Sequence, residues 1–219
     1  MPVRVRPWAP SMTLRLKAEG LGLWRGDRCL CQGVSFTLED GGLLQLTGAN
    51  GSGKTSLMRV VAGIGRLDEG RLSWREEPVR NASAYQGQLA YVGHHNGLKY
   101  HLNPVENYNF YQSVTSHSSE IRAEEALSAF GLAEVMHRPV ALLSMGQKRR
   151  AALARLMAVK AQLWFLDEPL SSLDVAGIGL ITSLLKRHLE QGGLAMVITH
   201  QPLDLDPLPV QRLELGAPA

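Results

Sequence analysis

The stretch GANGSGKT at residues 48–55 limits the folds open to this chain more than any other feature. It matches the pattern G-x-x-x-x-G-K-[ST], follows the apolar segment LLQLT and runs into KTSLMRVV, which begins with its last two residues. The first segment is predicted to be a buried strand and the second a helix. Between a strand and a helix, such a loop can wrap its backbone amides around phosphate groups. The sequence therefore predicts a sheet with a phosphate-binding loop at the end of one strand.

Each residue of this loop is a candidate phosphate ligand. Its glycines let the backbone approach the phosphates closely, Lys54 can reach the β- and γ-phosphates, and Thr55 can offer its hydroxyl to Mg²⁺. The predicted nucleotide-binding residues are Gly48, Ala49, Asn50, Gly51, Ser52, Gly53, Lys54, Thr55 and Ser56.

Acidic and imidazole side chains end two other predicted buried strands. The segment LWFLDEP carries Asp167 and Glu168 at its end, and VITH carries His200. In a parallel sheet these ends lie at the edge that also bears the phosphate loop. Asp167 is predicted to hold Mg²⁺, Glu168 to orient or deprotonate an attacking water, and His200 to contact the γ-phosphate. With Lys54, Glu168 and His200 form the predicted catalytic set.

Composition and charge indicate a globular protein and argue against a nucleic-acid-binding or a secreted one. The 219 residues are 45% hydrophobic and 20% charged, as in an ordinary globular protein. The net charge of +3 is too balanced to favour nucleic acid as a partner. Residues 1–12 lack the apolar run of a secretory signal and are predicted to be a disordered tail, with Met12 as an alternative start. The pair Cys29 and Cys31 is predicted to be reduced in the cytosol.

Three regions differ in their predicted secondary structure. Short apolar runs and turns before residue 48 predict a β-rich N-terminal subdomain, whereas alternating helices and apolar strands after residue 145 predict a buried parallel sheet. Residues 96–145 between them are polar and predict an inserted helical subdomain within one domain of residues 13–219. The clearest helix there is predicted over residues 118–136, capped by Ser118 or Ser119.

A second anion site is predicted at LLSMGQKRR, residues 142–150. Ser144 is suited to cap a helix, and Gly146 to let the backbone come close to a ligand. The free N–H groups and the dipole of such a helix start attract anions. The basic residues 148–150 are predicted to lie on the solvated face of the helix.

The ordered set of phosphate loop, LSMGQ, LWFLDEP, SSLD and terminal histidine resembles the ATP-binding cassette (ABC) ATPases over nearly the whole chain. The resemblance implies an α/β P-loop NTPase with a β-subdomain and a helical insertion, and ATP and Mg²⁺ as cofactors. It also implies two cassettes facing head to tail, each ATP lying between the phosphate loop of one and the LSMGQ signature of the other. The second anion site then serves the partner's nucleotide.

The same resemblance implies roles for further residues. Asp174 would lie at the dimer seam, and Trp24 would stack on adenine. The residues that would contact the partner's ATP are Leu143, Ser144, Gly146 and Gln147.

Two positions depart from the family pattern. Met145 replaces the first glycine of the usual Leu-Ser-Gly-Gly-Gln, so activity is expected at an altered rate. After the strand LAYVG the family has a glutamine that bridges Mg²⁺ and the membrane subunit. Here either His94 or His95 takes that place, depending on the alignment, and neutral imidazole can bind a metal.

Within the family, YVGHHNGLKYHL, VENYNFY, LSMGQKRRAALARL and ITHQPL resemble the ATP-binding subunit of the haem exporter of bacterial cytochrome c maturation. This implies a peripheral ATPase on the cytoplasmic face of the inner membrane, acting with integral permease subunits. ATP hydrolysis would drive haem export or release of a haem-loaded periplasmic chaperone, and the complex, not this chain, would handle the haem.

Other functions fit the sequence less well. The nearest alternative is the ATPase of another exporter, for lipids, drugs or lipoproteins. A soluble cassette protein of translation or DNA repair usually carries two cassettes or a long insertion. A small-molecule kinase would lack both LSMGQ and SSLD.

Overall fold

The computed structural model describes residues 15–79, 85–115 and 117–216, so the predicted tail at residues 1–12 lies outside the described chain. The strands within these ranges are β1 (Arg15–Arg25), β2 (Arg28–Glu39), β3 (Leu43–Gly48), β4 (Glu69–Trp74), β5 (Glu77–Pro78), β6 (Leu89–Val92), β7 (Leu163–Asp167), β8 (Leu194–Ile198) and β9 (Val210–Leu215). The α-helices there are α1 (Lys54–Val61), α2 (Pro104–Val114), α3 (Ala123–Ala129), α4 (Met145–Ala154) and α5 (Val175–Glu190).

The described strands form two sheets. An antiparallel sheet has the order β2-β1-β4-β5, and a parallel sheet has the order β6-β7-β8-β3-β9. Every residue of β7 and of β8 is buried, as expected for strands covered on both faces. The predicted α/β fold class, with a β-rich N-terminal part and a buried parallel sheet, is therefore confirmed. All strands of the parallel sheet end at one edge, and that edge positions the site described below.

The parallel sheet separates two hydrophobic cores. In β7, Trp164 and Leu166 face a core that includes side chains of α2 to α5, whereas Leu163 and Phe165 face a core shared with the antiparallel sheet and α1. This alternation follows the period of two along a strand. β7 is thus held from both sides, and the end of β7 has little freedom to move.

The helix predicted over residues 118–136 is wrong in its extent. Helix α3 spans only Ala123–Ala129, and Arg122 rather than a serine lies at its N-cap. Ser119 donates its hydroxyl to the carbonyl of Met157, and Gly131 follows the helix with a φ of 67°. Contacts with distant residues therefore override the local capping signal. The longer helix in this region is α2, which begins with a capping box between Asn103 and Glu106.

Helix α5 is fastened to β7 by a stacked pair of rings. The rings of Trp164 and His188 lie 3.9 Å apart between centroids and within 6° of parallel. The Nε2 atom of neutral His188 can donate to the carbonyl of Leu194 at 3.1 Å. The imidazole lies against Gly193 and leaves no room for a side chain at that position. Burial lowers the pKa of His188 to about 4.

This burial makes stability depend on pH. The unfolded chain binds a proton at His188 near its ordinary pKa of about 6.5, whereas the folded protein does so only near about 4. Stability from this group is therefore complete above pH ~6.5 and is lost as the pH falls toward ~4, by about 2–3 kcal/mol. We expect His188→Phe, which keeps a flat ring on Trp164, to flatten urea-unfolding free energies between pH 7 and pH 4. Exposed His137→Phe is the control, and an unchanged slope in His188→Phe would contradict the expectation.

Candidate nucleotide-binding site

The phosphate loop connects β3 to α1 and has the backbone that its glycines permit. Gly48, Gly51 and Gly53 have φ values of 136°, 81° and 93°. A Cβ on Gly48 would lie 2.5 Å from the carbonyl oxygen of Leu215, so the end of β9 requires glycine there. No described side chain caps α1, which leaves the amides at its N-terminus available to an anion.

Two polar side chains in the loop are arranged as a phosphate would require. The Nζ atom of Lys54 folds back across the loop and donates to the carbonyls of Gly48 and Ala49, both at 2.8 Å. The hydroxyl of Ser52 is buried and has no hydrogen-bond partner among the described residues. A buried hydroxyl without a partner costs free energy that a bound phosphate oxygen would recover. Asn50 lies in the same loop, and Ser56 lies in the first turn of α1.

The hydroxyl and the carboxylate predicted to hold Mg²⁺ lie in direct contact. Thr55 Oγ1 donates a hydrogen bond of 2.9 Å to Asp167 Oδ2. Asp167 is the last residue of β7 and is only 2% exposed. A hydroxyl and a carboxylate beside a phosphate loop are the oxygen ligands that suit Mg²⁺, so these residues fit that ion.

Glu168 and His200 lie at the same sheet edge. The backbone N–H of Glu168 donates to the carbonyl of Ile198, the last residue of β8. Glu168 Oε1 lies 3.7 Å from His200 Nε2, and the His200 side chain is 56% exposed. Glu168 has a φ of 50°, which is unusual for a residue with a side chain. The predicted catalytic residues are therefore gathered beside the phosphate loop, with the His200 imidazole accessible to a ligand.

Trp24 lies at the end of β1, paired with Cys29 in β2. A Cβ on Gly22 would meet the Trp24 indole at 2.6 Å, so the ring covers Gly22. The hairpin residue beside the phosphate loop is Leu30, whose Cβ would be 3.1 Å from a Cβ on Gly53. The hairpin thus adjoins the loop, and stacking of Trp24 on adenine stays a prediction.

The two histidines follow β6 at the same edge of the parallel sheet. His94 and His95 are both exposed, and their rings meet edge to face with centroids 5.6 Å apart. The exposed rings of both residues are open to a ligand, so the choice between them stays a prediction.

The signature residues form the first turn of α4. Ser144 Oγ accepts from the N–H of Gln147, and Gln147 Oε1 accepts from the N–H of Ser144, which makes a capping box. The side chain of Met145 is exposed, so methionine at the position of the family's glycine causes no steric conflict within the subunit. Leu143 is only 4% exposed and packs in the core, so its side chain is not presented to a partner.

Asp174 has two contacts within its own subunit. It caps α5 by accepting from the N–H of Gly177 at 2.9 Å, and both of its carboxylate oxygens accept from Arg150 Nη2 at 2.8 and 2.9 Å. The Gly177 amide, followed by Arg150, holds the pKa of Asp174 below its ordinary value. Its role at a dimer seam stays a prediction.

Arg149 is the residue that sequence reasoning misjudged. The prediction that residues 148–150 form a solvated face is wrong for Arg149, which is only 2% exposed. Its guanidinium donates to the carbonyls of Asp167 at 2.7 Å and Glu168 at 2.8 Å. The signal was helical spacing, since Arg149 lies three and four residues before Ala152 and Leu153, which are completely buried.

Adjacent positions of the signature turn provide a matched test. A Cβ on Gly146 would lie 2.9 Å from the carbonyl oxygen of Ser172, whereas the Met145 side chain meets solvent. We expect Gly146→Ala to lower the ATPase rate at least tenfold, because α4 must separate from the loop after β7. Met145→Ala places the same small side chain one residue earlier and is expected to stay within threefold of the wild-type rate. Equal losses in the two variants, measured as phosphate release, would contradict the steric argument.

Among the described residues, no helix is both long enough and apolar enough to cross a lipid bilayer. The solved structures most useful for comparison share the fold. An ABC transporter ATP-binding protein from Pyrococcus furiosus matches with a TM-score of 0.77 and 20% identity, over 92% of this chain and 97% of its own. A dimeric post-hydrolysis state of the ATP-binding cassette MJ0796, bound to ADP and Pi, matches with a TM-score of 0.79 and 20% identity, over 91% and 96%.

Sequence relatives are more similar. The cytochrome c biogenesis ATP-binding export protein CcmA of Cupriavidus necator is 48% identical over 84% of this chain and 82% of its own length. The CcmA protein of Escherichia coli is 40% identical over 91% and 96%. The family model described as ABC transporter matches residues 31–171. The chain therefore belongs to the ABC transporter family, in the group of CcmA proteins.

Proposed function

We propose that this chain is the ATP-hydrolysing subunit of a haem exporter that serves cytochrome c biogenesis. The observation that carries the hydrolytic part is the contact of Thr55 with Asp167 beside the phosphate loop, with Glu168 as the next residue. The cargo is inferred from relatives named as cytochrome c biogenesis export proteins, which are 40–48% identical over most of the chain.

The proposed chemistry is attack of water on the γ-phosphate of ATP. Thr55 and Asp167 would hold Mg²⁺, which when bound offsets negative charge on the β- and γ-phosphates. Lys54 would exchange its two carbonyl acceptors for phosphate oxygens and, with the loop amides, stabilise the charge on the transferring group. Glu168 would orient the water and accept its proton, and His200 would contact the γ-phosphate.

A head-to-tail dimer would complete each site. The capping box at the start of α4 uses the backbone N–H groups of Ser144 and Gln147, so the backbone donors left for an anion are those of Met145 and Gly146. The Ser144 hydroxyl hydrogen and Gln147 Nε2 are not used by the box, and the turn lies far along the chain from the phosphate loop. We infer that this turn binds the γ-phosphate of the ATP held by the partner. Asp174 at the start of α5 would lie at the seam, and Trp24 would stack on the adenine ring.

The proposed partners outside the dimer are permease subunits in the bacterial inner membrane, with this chain bound at the cytoplasmic face. The start of the helical insertion, near residues 94–107, would transmit closure of the dimer to the permease, with His94 or His95 near the Mg²⁺. Haem would be handled by the complex and not by this chain, and nucleic acid is not a proposed partner.

The decisive variant is Glu168→Gln, which removes the proton acceptor and keeps the shape of the side chain. We expect at least a hundredfold loss of ATP hydrolysis with ATP binding retained. In cells where this variant replaces the native chain, c-type cytochromes should lack covalently attached haem while b-type haem proteins persist. The control is Glu190→Gln, the same change at an exposed position at the end of α5.

The two parts of the proposal fail separately. Haem staining of membranes after denaturing electrophoresis reports the cargo, and phosphate release from the purified complex reports the chemistry. If hydrolysis stops but the c-type cytochromes stay loaded, the cargo is not haem and the chain serves another exporter. If Glu168→Gln hydrolyses ATP at the wild-type rate, the assignment of Glu168 is wrong.

A further inference from the structure

We propose that Arg149 is a positioning residue that couples the signature turn of α4 to the catalytic carboxylate Glu168 of the same subunit, and so links the two ATP sites of the dimer. The inference rests on the proposed function, since it requires ATP hydrolysis by a head-to-tail dimer. It assigns a role to a buried side chain that the chemistry above does not use.

Each nitrogen of the Arg149 guanidinium has an acceptor. Nη2 donates to the carbonyls of Asp167 and Glu168, and Nε donates to Pro169 at 3.4 Å. Nη1 donates to the carbonyl of Gly93 at 2.9 Å and to Asn96 Oδ1 at 3.0 Å. Burial lowers the pKa of Arg149 to about 10, so the group stays charged near neutral pH. A buried charge is costly in free energy. In return, the hydrogen bonds of Arg149 connect three separate segments of the chain.

The first segment is the turn that presents Glu168. Glu168 has a φ of 50°, which is unfavourable for a residue with a long side chain. The turn therefore persists only where the surrounding structure holds it. Arg149 Nη2 bonds the carbonyl before and the carbonyl after the Glu168 Cα, while the Glu168 N–H is held by Ile198. Without Arg149, both carbonyls lose the hydrogen bond from its guanidinium, and the Glu168 carbonyl keeps only its local bonds from Ser171 among the described contacts, so the Glu168 carboxylate is held less firmly.

The second segment is the loop of residues 93–97, which carries His94 and His95. Besides the bonds from Arg149, Arg155 Nη2 donates to the carbonyl of Asn96 at 2.6 Å, and Arg155 Nη1 donates to that of Gly97 at 3.1 Å. Both arginines come from α4 and the 3₁₀ turn that follows it (Arg155–Ala158). The 93–97 loop therefore moves with α4.

The third segment is the signature turn itself. Arg149 lies three residues after Gly146, less than one turn further along the same helix. The carbonyl of Ser172 also abuts Gly146, and Ser171 donates its N–H and its hydroxyl to the Glu168 carbonyl. A shift of the signature turn on contact with the partner's ATP is thus transmitted to Glu168 by two routes, of which Arg149 is the hydrogen-bonded one.

The test uses heterodimers in the complex purified with its membrane subunits. One subunit carries Glu168→Gln and a first affinity tag, and the other keeps Glu168 and carries a second tag. Only the site with intact Glu168 hydrolyses ATP, and that site uses the signature turn of the subunit that carries Glu168→Gln. Arg149→Gln is then placed in one subunit or in the other.

Coupling predicts that either placement lowers kcat at least tenfold, with KM for ATP changed less than threefold. Arg149→Lys, which keeps the charge but cannot reach all the carbonyls, should recover at least threefold of the loss at both placements. Arg122→Gln, at a side chain that is 79% exposed, is the matched control and should leave kcat unchanged. If Arg149→Gln does not fold, Arg149→Lys alone is expected to lower kcat at least threefold at both placements.

The remaining outcomes overturn the inference in different ways. A loss only when the change is in the subunit with intact Glu168 means that Arg149 orients Glu168 but that the signature turn serving the active site does not depend on Arg149, so the proposed link between the two is absent. Loss of ATP binding along with kcat, or no loss at either placement, means that Arg149 only supports the fold. If the complex with both Glu168 residues intact and no change at Arg149 fails to hydrolyse ATP, the proposed function itself falls.

Discussion

The hydrogen bond from Thr55 Oγ1 to Asp167 Oδ2 joins two segments separated by more than a hundred residues. It exists because β3 and β7 run parallel with β8 between them, so that the residues following β3 and the last residue of β7 lie at one edge. That arrangement depends in turn on two hydrophobic cores that hold β7 from both faces. The chemistry of the site is therefore a consequence of burying short apolar strands in a parallel sheet.

The sequence predicted well the parts of the site that are marked by a short motif lying next to the strand or helix that the motif requires. A glycine-rich loop between an apolar strand and a helix predicts both its structure and its ligand class, and carboxylates at the end of an apolar strand predict the edge where they lie. Lys54, Asp167, Glu168 and His200 follow from such signals, and the structure brings them together. Their catalytic roles remain predictions.

The parts that sequence predicted poorly depend on contacts between distant residues. The serines at positions 118 and 119 look like caps, but Ser119 bonds Met157 and α3 begins at Ala123. Arg149 looks like one of three solvated charges, because a run of basic residues suggests a surface. Helical spacing puts Arg149 on the buried face of α4, but the carbonyls of Asp167 and Gly93 that accept from its charge are far away in the sequence and are not indicated by the residues around α4.

Asp167 is held from two directions, and the two contacts use different atoms. Its carboxylate meets Thr55 on the side of the phosphate loop, and its carbonyl accepts from Arg149 on the side of α4. Lysine could supply charge to one or two carbonyls, but only the planar guanidinium can bond the turn after β7 and the 93–97 loop together. Replacement of Arg149 by an apolar residue would spare the cost of a buried charge but remove the hydrogen bonds that those carbonyls accept from its guanidinium. The site thus keeps a buried charge, despite its cost in free energy, where the sheet edge that bears the phosphate loop meets α4.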